Sequence, residues 1–424
     1  MITGWKRSIR KSEFAKNAIT LSIGTSIAQA FPMLFYPVLG RIFTPAEFGL
    51  LATLTSITSI ISVLSTGKYE NSVLITDSKN DAANVVGLVL LLSLSILIIA
   101  FIVLQLLGDQ LGVWLNEPIL KNWLYVCPIS AYAIVIYNCY NEWCIRNKYF
   151  IVLSSNKILN SVAITLSKVF LGFVKVTGNG LVIGDLLGRI ISAGGCVFKA
   201  LQKDKSEFFL LSFKRMRYLA KRYKNFPKYN LPDNLLNTIG FTLPVLLIGT
   251  YFNSNEVGYY AMTMNILSIP ISIVSKAVQD VFRQRANEEY VKTGSCVEIY
   301  RRLLKILIIG GVLGSLLIVF FLPDLFSIVL GKQWRISGEY SQILLPMMAI
   351  NFVAVSLSGV LTITENLKID LYLQIYYLGI TAISLLFGLI VFQDMKISLI
   401  SFAIGRSTAY VLYIFLSYKY SKGK

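Results

Sequence analysis

The chain has 424 residues, of which 55% are hydrophobic and 15% are charged, and its mean hydropathy is +0.65. A soluble domain of this length cannot bury so much apolar side chain, so the composition excludes a soluble globular protein and predicts an all-α polytopic membrane protein. The formal net charge is +18. Cytoplasmic loops of membrane proteins collect Lys and Arg, so this charge does not indicate a nucleic-acid partner.

Twelve apolar stretches reach the roughly 20 residues that a transmembrane helix needs. We place them at about residues 17–40, 47–66, 83–107, 122–141, 152–174, 179–200, 233–252, 257–279, 303–322, 342–363, 370–392 and 398–418. The first stretch follows a short basic segment, is too long for a signal peptide and has no convincing cleavage site. It therefore predicts a transmembrane helix.

An internal repeat divides the chain. The stretch Phe43–Ala52 returns 209 residues later as Phe252–Ala261, with Phe, Glu, Gly and Ala at the same spacing. The pairs Gly188-Arg189 and Gly405-Arg406 repeat at an offset of 217. Both offsets are close to half the chain length, which predicts two copies of one membrane unit. We expect six-helix lobes at residues 1–200 and 232–424, related as a parallel repeat.

The connection between the predicted lobes, residues 201–231, is amphipathic and strongly basic. Aromatic residues such as Phe209 and Phe213 alternate there with Lys and Arg. This pattern favours a helix lying on the anionic inner leaflet of the membrane. The alternative is a solvated cytoplasmic connector that only follows the usual distribution of positive charge.

The distribution of Lys and Arg predicts the orientation. With the N-terminus inside, 30 of the 40 basic residues fall in inside loops and tails, and six fall outside. The outside residues are Arg41, Lys121, Lys175, Lys332, Arg335 and Lys396. Positive charge collects on the cytoplasmic side, so we expect a cytoplasmic (inner) membrane protein with both termini in the cytoplasm.

Four cations lie within apolar stretches: Lys157, Lys168, Arg189 and Arg406. Each costs about 3 kcal/mol near the bilayer centre on insertion scales. Asp185 is the one carboxylate at similar depth, and it lies one helical turn from Arg189, so these two can pair. We therefore predict a positively charged, water-filled cavity that binds a diphosphate or acidic sugars. The alternative is that the lysines reach toward the membrane surfaces and Arg189 serves only Asp185.

Polar side chains accompany these cations. They include Gln29 in the first stretch, Asn234 and Asn237 in the seventh, and Asn351 in the tenth. Amides and aromatic rings bind sugars through hydrogen bonds and ring stacking, so we assign Gln29 and Asn234 to the candidate substrate site. Contacts between helices explain the set of residues nearly as well, and for any single residue they are the better explanation.

Features of an enzyme are missing from the sequence. It has no His and no glycine-rich loop of the GxxxxGK type, which argues against ATP hydrolysis and against Ser/His or Cys/His catalysis. The five Cys show no metal-ligand spacing. We expect no enzymatic activity, no metal and no cofactor.

Three segments resemble the motifs of bacterial polysaccharide repeat-unit flippases, which belong to the multidrug/oligosaccharidyl-lipid/polysaccharide exporter (MOP) superfamily. They are Pro37–Leu50 (PVLGRIFTPAEFGL), Leu64–Glu70 (LSTGKYE) and Phe226–Pro232 (FPKYNLP). The resemblance covers essentially the whole chain. It implies a V-shaped bundle of two six-helix lobes around a central cavity.

The resemblance also implies a function. Such flippases move an undecaprenyl-diphosphate-linked oligosaccharide across the cytoplasmic membrane for surface polysaccharides such as O-antigen or capsule. The expected partners are this lipid-linked substrate, membrane lipids, and a polysaccharide polymerase with its chain-length protein. Arg41, Glu47 and Glu70 match the family motifs and are expected to be structural or gating residues.

Energy coupling and two rival functions stay open at this point. A proton- or sodium-driven step would use Asp185 or Glu142, although a carboxylate held by Arg189 is a poor proton carrier unless the pair opens. Uncoupled flipping is equally compatible with the sequence. The rivals are a multidrug exporter, which needs buried carboxylates for organic cations, and a membrane scaffold or enzyme of glycan assembly.

Overall fold

The computed structural model describes the backbone of residues 2–174, 179–364 and 366–423. Side chains are described within these ranges except at 2–19, 367, 368, 370 and 371. Several basic residues of the orientation argument lie outside the described residues or have undescribed side chains: Lys6, Arg7, Arg10, Lys11, Lys16, Lys175, Lys368 and Lys424.

Helices account for all regular secondary structure in this part of the chain. The first nine are α1 Ile2–Ile42, α2 Pro45–Thr66, α3 Lys79–Leu106, α4 Gly108–Trp114, α5 Val126–Arg146, α6 Phe150–Phe173, α7 Gly180–Lys203, α8 Lys205–Phe209 and α9 Phe213–Arg222. The others are α10 Leu231–Tyr251, α11 Ser254–Thr293, α12 Val297–Ile318, α13 Leu322–Leu330, α14 Arg335–Ser356, α15 Val360–Ile363, α16 Leu367–Phe387 and α17 Met395–Ser421.

Eleven helical segments of the described residues are long and apolar enough to cross a membrane, which makes this a multi-pass membrane protein. Each contains or overlaps one of the predicted stretches. The remaining prediction, 122–141, corresponds to α5. This helix has 21 residues, which is long enough to span a bilayer, but its second half carries Asn138, Asn141 and Glu142 and is therefore less apolar.

Several helices begin at side-chain caps that the local sequence supplies. Thr44 and Glu47 form a reciprocal capping box at the start of α2, since Glu47 Oε2 accepts from the Thr44 backbone N–H at 2.8 Å. The Glu47 backbone N–H in turn donates to Thr44 Oγ1 at 3.4 Å. Asn253 caps α11 and Asp394 caps α17 in the simpler way, by accepting a backbone N–H three residues ahead.

The chain forms two compact units. Unit 1 contains Met1–Leu39, Ile57–Gly112 and Pro118–Leu235, and unit 2 contains Gly40–Ser56, Val113–Glu117 and Leu236–Lys424. The units therefore alternate along the sequence. The lobe boundaries that we placed around residues 201–231 stay a prediction.

Each unit has its own apolar core. In unit 1, side chains from α3, α5 and α9, including Val89, Trp143 and Leu219, pack together without solvent exposure. In unit 2, Ile248, Leu344 and Leu385 form a corresponding core among α10, α14 and α16. Close van der Waals packing of these core side chains stabilises each bundle, because lipid itself gives apolar faces no hydrophobic reason to associate. The opposite faces expose large aliphatic side chains suited to lipid.

The basic segment 201–231 contains α8 and α9 and belongs to unit 1. Leu219 of α9 enters the core, and Arg215 binds both carboxylate oxygens of Asp81, at 2.6 and 2.8 Å. This bond raises the pKa of the Arg215 guanidinium, so the pair stays charged. Phe213 on the other face of α9 is exposed. The segment is thus anchored on one side, and its contact with the inner leaflet stays a prediction.

Candidate functional site

The cationic residues of unit 1 lie on α6 and α7, which pack at very short range. A Cβ on Gly184 would lie 2.7 Å from Lys168 Cα, and a Cβ on Gly188 would lie 2.3 Å from Ile164 Cα. Glycine at both positions lets the two backbones touch. This close approach brings the side chain of Lys168 onto the face of α7 that carries Asp185.

Asp185 binds two cations at once. Lys168 Nζ lies 2.7 Å from one carboxylate oxygen, and Arg189 Nε lies 2.5 Å from the other. The pair between Asp185 and Arg189 was expected from their spacing on one helix. The bond from Lys168 was not, because it joins different helices. Two cations share one carboxylate, so this cluster, which we call the Asp185 cluster, keeps a net charge of about +1.

The Asp185 cluster lies near one end of its helices. Lys168 is five residues before the end of α6 at Phe173, and Asp185 is five residues after the start of α7 at Gly180. At about 1.5 Å per residue, Lys168 and Asp185 are within roughly 8 Å of these helix ends. Lys168 and Arg189 retain side-chain exposures of 15% and 20%, whereas Asp185 retains 7%. The exposed part of the cluster is therefore positive.

Lys157 lies toward the opposite end of α6. Its Nζ donates to Thr25 Oγ1 at 2.9 Å, and Gln29 lies one helical turn further along α1. Lys157 and Lys168 are eleven residues apart on one helix, so they lie on the same side at depths that differ by about 16 Å. Unit 1 thus holds cations at two levels, one bonded to a hydroxyl group and one in the Asp185 cluster.

Arg406 is the deep cation of unit 2, and it is only 4% exposed. Its guanidinium lies 3.8 Å from the ring centroid of Tyr377. Nη1 donates to the Gly240 carbonyl at 3.2 Å and to Thr381 Oγ1 at 3.0 Å, and Nε donates to Tyr410 Oη at 3.3 Å. Ring faces and neutral acceptors therefore stabilise this charge, whereas Arg189 uses a carboxylate.

A cavity of about 430 Å³ lies beside Arg406 in unit 2. Its walls come from α10, α11, α14, α15, α16 and α17. The polar and aromatic lining includes Asn237, Arg283, Asn351, Gln374, Tyr377 and Tyr410. Arg406 lies behind the wall of this cavity, in contact with Gly240, Phe241, Tyr377 and Tyr410, which line it. Its role in substrate binding stays a prediction.

Several polar or aromatic lining residues of this cavity are not singled out by the sequence, among them Arg283, Gln374, Tyr377 and Tyr410. Arg283 was counted as a charge of an inside loop, because the eighth apolar stretch ends near residue 279. Helix α11 instead continues to Thr293 and carries Arg283 along the cavity wall. Gln374 lies early in α16, and its Oε1 is buried with no hydrogen-bond partner among the described residues. A search for amides near the ends of apolar stretches would have found it.

Three predicted site residues make structural contacts, of which those of Glu47 and Asn234 are local. Arg41 donates from Nη2 to the Ile328 carbonyl at 3.0 Å, in the last turn of α13, where a cation is favourable. Glu47 belongs to the capping box of α2. Asn234 donates to the Asn230 carbonyl at 2.8 Å, one turn back on its own helix. The structure brings none of these three into the cavity beside Arg406.

Glu70 and Glu142 lie together in unit 1. Glu70 accepts from Thr66 Oγ1 at 3.2 Å and pairs with Lys68 at 3.4 Å, while its second oxygen, Oε2, is buried without a partner in the described part of the chain. Glu142 on α5 is within electrostatic range of Glu70 and Lys68. Their coupling or gating role stays a prediction.

Comparison with known proteins gives a family and a fold. Residues 38–338 match the model of a family described as polysaccharide biosynthesis protein. No curated protein sequence matches the chain.

Solved structures of transporters superpose on nearly the whole chain. The lipid II flippase MurJ in an inward closed conformation has a TM-score of 0.74 at 13% identity and covers 94% of this chain and 87% of its own. A multidrug resistance MATE family transporter of the MOP superfamily, inward-facing, has a TM-score of 0.64 at 15% identity, with 94% and 93% covered. The MATE multidrug transporter DinF-BH has a TM-score of 0.66 at 16% identity, with 95% of each chain covered.

At these identities the structural matches show a shared fold. The family match is independent of them, and it extends over more than half of the sequence. Together with the eleven spans and the helical units, it establishes that the chain is a member of the polysaccharide biosynthesis protein family with the fold of MOP superfamily transporters.

Proposed function

We propose that this protein is a flippase that moves undecaprenyl-diphosphate-linked oligosaccharide repeat units across the cytoplasmic membrane by alternating access, for surface polysaccharide synthesis such as O-antigen or capsule. The observation that carries the proposal is the net positive Asp185 cluster inside a member of this family. A diphosphate is the part of such a substrate that requires buried cations.

The arrangement of unit 1 supports binding of a diphosphate. Asp185 neutralises part of the charge of Lys168 and Arg189 and holds both side chains in place, which lowers the cost of keeping two cations in the membrane. Both cations retain exposed surface through which they can donate to phosphate oxygens. Lys157, about 16 Å away along α6, supplies a second cation for the same group at another stage of translocation.

The proposal includes an orientation and partners. Both termini face the cytoplasm, following the distribution of Lys and Arg, so the substrate enters from the side where it is synthesised. Membrane lipid surrounds the lipid tail of the substrate. A polymerase and a chain-length protein would act on the glycan after translocation. The protein itself carries out no covalent chemistry.

A multidrug exporter is the second candidate, and the shared fold with MATE transporters favours considering it. Organic cations require a carboxylate that can receive them. The deep carboxylate of unit 1 is already bound by two cations, which disfavours this function. Drug efflux would therefore have to use Glu70 and Glu142.

The test is the fate of lipid-linked glycan in cells that lack this protein. Lipids are extracted and analysed by mass spectrometry, and accessibility of the glycan is measured in inverted and right-side-out vesicles. We expect a diphosphate-linked oligosaccharide to accumulate on the cytoplasmic side, and the wild-type gene to clear it. Absence of this intermediate, together with increased drug sensitivity, would support the exporter instead.

A further inference from the structure

The cavity beside Arg406 has a lining that the cationic site of unit 1 does not share. Amide side chains from three different helices converge there: Asn237 of α10, Asn351 of α14 and Gln374 of α16. An amide both donates and accepts hydrogen bonds. The volume of the cavity, about 430 Å³, falls in the range of small-molecule sites, roughly 300–1,000 Å³.

One polar atom in this cavity lacks a protein partner. Gln374 Oε1 is buried and accepts no hydrogen bond from the described residues. Leaving such an atom unsatisfied costs about 1–3 kcal/mol, so native structures nearly always provide a donor. This oxygen has almost no accessible surface, so a ligand hydroxyl in the cavity would provide one after the Gln374 side chain turns toward it.

Tyr377 and Tyr410 form an aromatic wall of the cavity, and contacts with each other and with Arg406 hold the two rings in place. The hydroxyls of Tyr377 and Tyr410 are 2.5 Å apart, and their ring centroids are 5.3 Å apart. Arg406 stacks on Tyr377 and donates to Tyr410. A rigid aromatic wall beside amide groups matches a sugar ring, which has an apolar face and an edge of hydroxyl groups. Arg406 is therefore a positioning residue for this wall.

A cation stands at the rim of the cavity. Arg283 is exposed, and a turn at Gly359, with φ of 107°, passes close beside it. A Cβ at this position would lie 2.3 Å from Arg283 Nε, so the glycine leaves room for the guanidinium as well as permitting the backbone conformation. Arg283 can thus donate to hydroxyl or acidic groups of a ligand.

The cavity lies at one end of the membrane helices. Asn237 is near the start of α10, Gln374 near the start of α16, and Tyr410 in the second half of α17. Under the proposed orientation these positions are all in the cytoplasmic half of the protein. This is where a substrate assembled inside the cell would first be bound.

We propose that this cavity binds a sugar ring of the lipid-linked glycan on its cytoplasmic side. The inference rests on the proposed function and assigns the sugar to a cavity of unit 2. Asn237, Asn351 and Gln374 bind its hydroxyl groups, the Tyr377 and Tyr410 wall contacts its ring, and Arg283 donates from the rim.

The test compares three variants. Asn237→Leu with Gln374→Leu removes hydrogen bonding at similar volume, and Thr362→Trp fills the cavity from its lining. Thr250→Val is the matched control, since Thr250 is on the same helix as Asn237, its hydroxyl donates to the Leu246 carbonyl one turn back, and it does not line the cavity. Each is purified, and its affinity for the glycan released by mild acid from the accumulated lipid is measured by calorimetry.

We expect both cavity variants to bind the released glycan at least about tenfold more weakly than wild type and to clear the lipid-linked intermediate correspondingly slowly, since each lost hydrogen bond is worth about a factor of five. The control should behave as wild type. Unchanged binding and clearance in both cavity variants, in cells where the deletion does accumulate the intermediate, would overturn the sugar site while leaving the flippase function standing. Absence of the intermediate in the deletion strain would reject both.

Discussion

Gly49 and Gly258, which occupy equivalent positions in the two copies of the internal repeat, pack directly against each other within unit 2. A Cβ on Gly49 would lie 1.9 Å from the carbonyl oxygen of Ser254, and a Cβ on Gly258 would lie 1.8 Å from that of Pro45. Each built Cβ lies 3.1 Å from the backbone nitrogen of the other glycine. The contact is reciprocal, as expected for a local two-fold relation between the starts of α2 and α11.

Replacing either glycine by alanine should separate these helices. The obstacle is backbone rather than a flexible side chain, so the methyl group cannot be accommodated by a change of rotamer. Overpacking of this kind costs about 1–3 kcal/mol. We expect Gly49→Ala and Gly258→Ala to lower the midpoint of thermal unfolding of the purified protein in detergent.

Gly310→Ala is the control for this pair. Gly310 lies inside α12, and nothing is within 4 Å of its built Cβ. Alanine there should leave stability unchanged or raise it, since it favours the helix. Equal changes in the unfolding midpoint for all three variants would contradict the prediction. They would show that the close contact between α2 and α11 is not the reason for glycine at positions 49 and 258.

Asp185→Asn should be more destabilising than the loss of either of its partners. The change leaves Lys168 and Arg189 in the membrane without their shared carboxylate, and breaking a buried ion pair in this way costs about 3–5 kcal/mol. Lys168→Met leaves the pair with Arg189 in place. Unfolding is measured by tryptophan fluorescence against denaturant for both variants.

The double variant Asp185→Asn/Lys168→Met completes the cycle. We expect it to recover part of the stability that Asp185→Asn loses, because only one uncompensated cation remains. Strictly additive effects would mean that the two side chains are not coupled. A transport assay on Lys168→Met separates the roles further, since a diphosphate site predicts slower clearance of the glycan even where the protein stays folded.

Arg406→Lys tests whether this cation binds a ligand directly or positions the aromatic wall. Lysine keeps the charge but cannot stack a planar guanidinium on Tyr377 while donating to Gly240 and Thr381. We expect a loss of about 1–3 kcal/mol in stability and weaker binding of the released glycan. Arg301→Lys is the control, since Arg301 also donates to a tyrosine, Tyr418, but is exposed. Wild-type stability and binding in Arg406→Lys would contradict the positioning role.

Glu47→Ala should act through the start of α2. Its carboxylate accepts from the Thr44 backbone N–H and hydroxyl, and loss of such a cap costs about 1 kcal/mol. Glu47→Gln keeps an acceptor and should be milder in the same thermal assay. A gating role would instead reduce transport equally in both variants, even at a temperature where both are fully folded.

Local sequence was sufficient for everything that depends on neighbours along the chain. The apolar stretches predicted the spanning helices, because each must satisfy its own backbone in lipid. The spacing of Asp185 and Arg189 predicted their ion pair. The sequence repeat of Phe43–Ala52 at Phe252–Ala261 predicted a duplicated unit. The family motifs were recognised for the same reason, since they are short and contiguous.

The tertiary structure decided which distant residues meet. Lys168 reaches Asp185 because Gly184 and Gly188 let α6 and α7 touch, and the sequence does not reveal how two helices are rotated against each other. Arg406 is enclosed by Gly240 of α10, by Thr381 and Tyr377 of α16, and by Tyr410 of its own helix. No spacing in the sequence predicts this set. The sequence by itself therefore determined the membrane class, the helices and the charges they carry. Only helix packing decided that Lys168 shares the Asp185 carboxylate with Arg189, whereas Arg406 is buried behind the rings of Tyr377 and Tyr410.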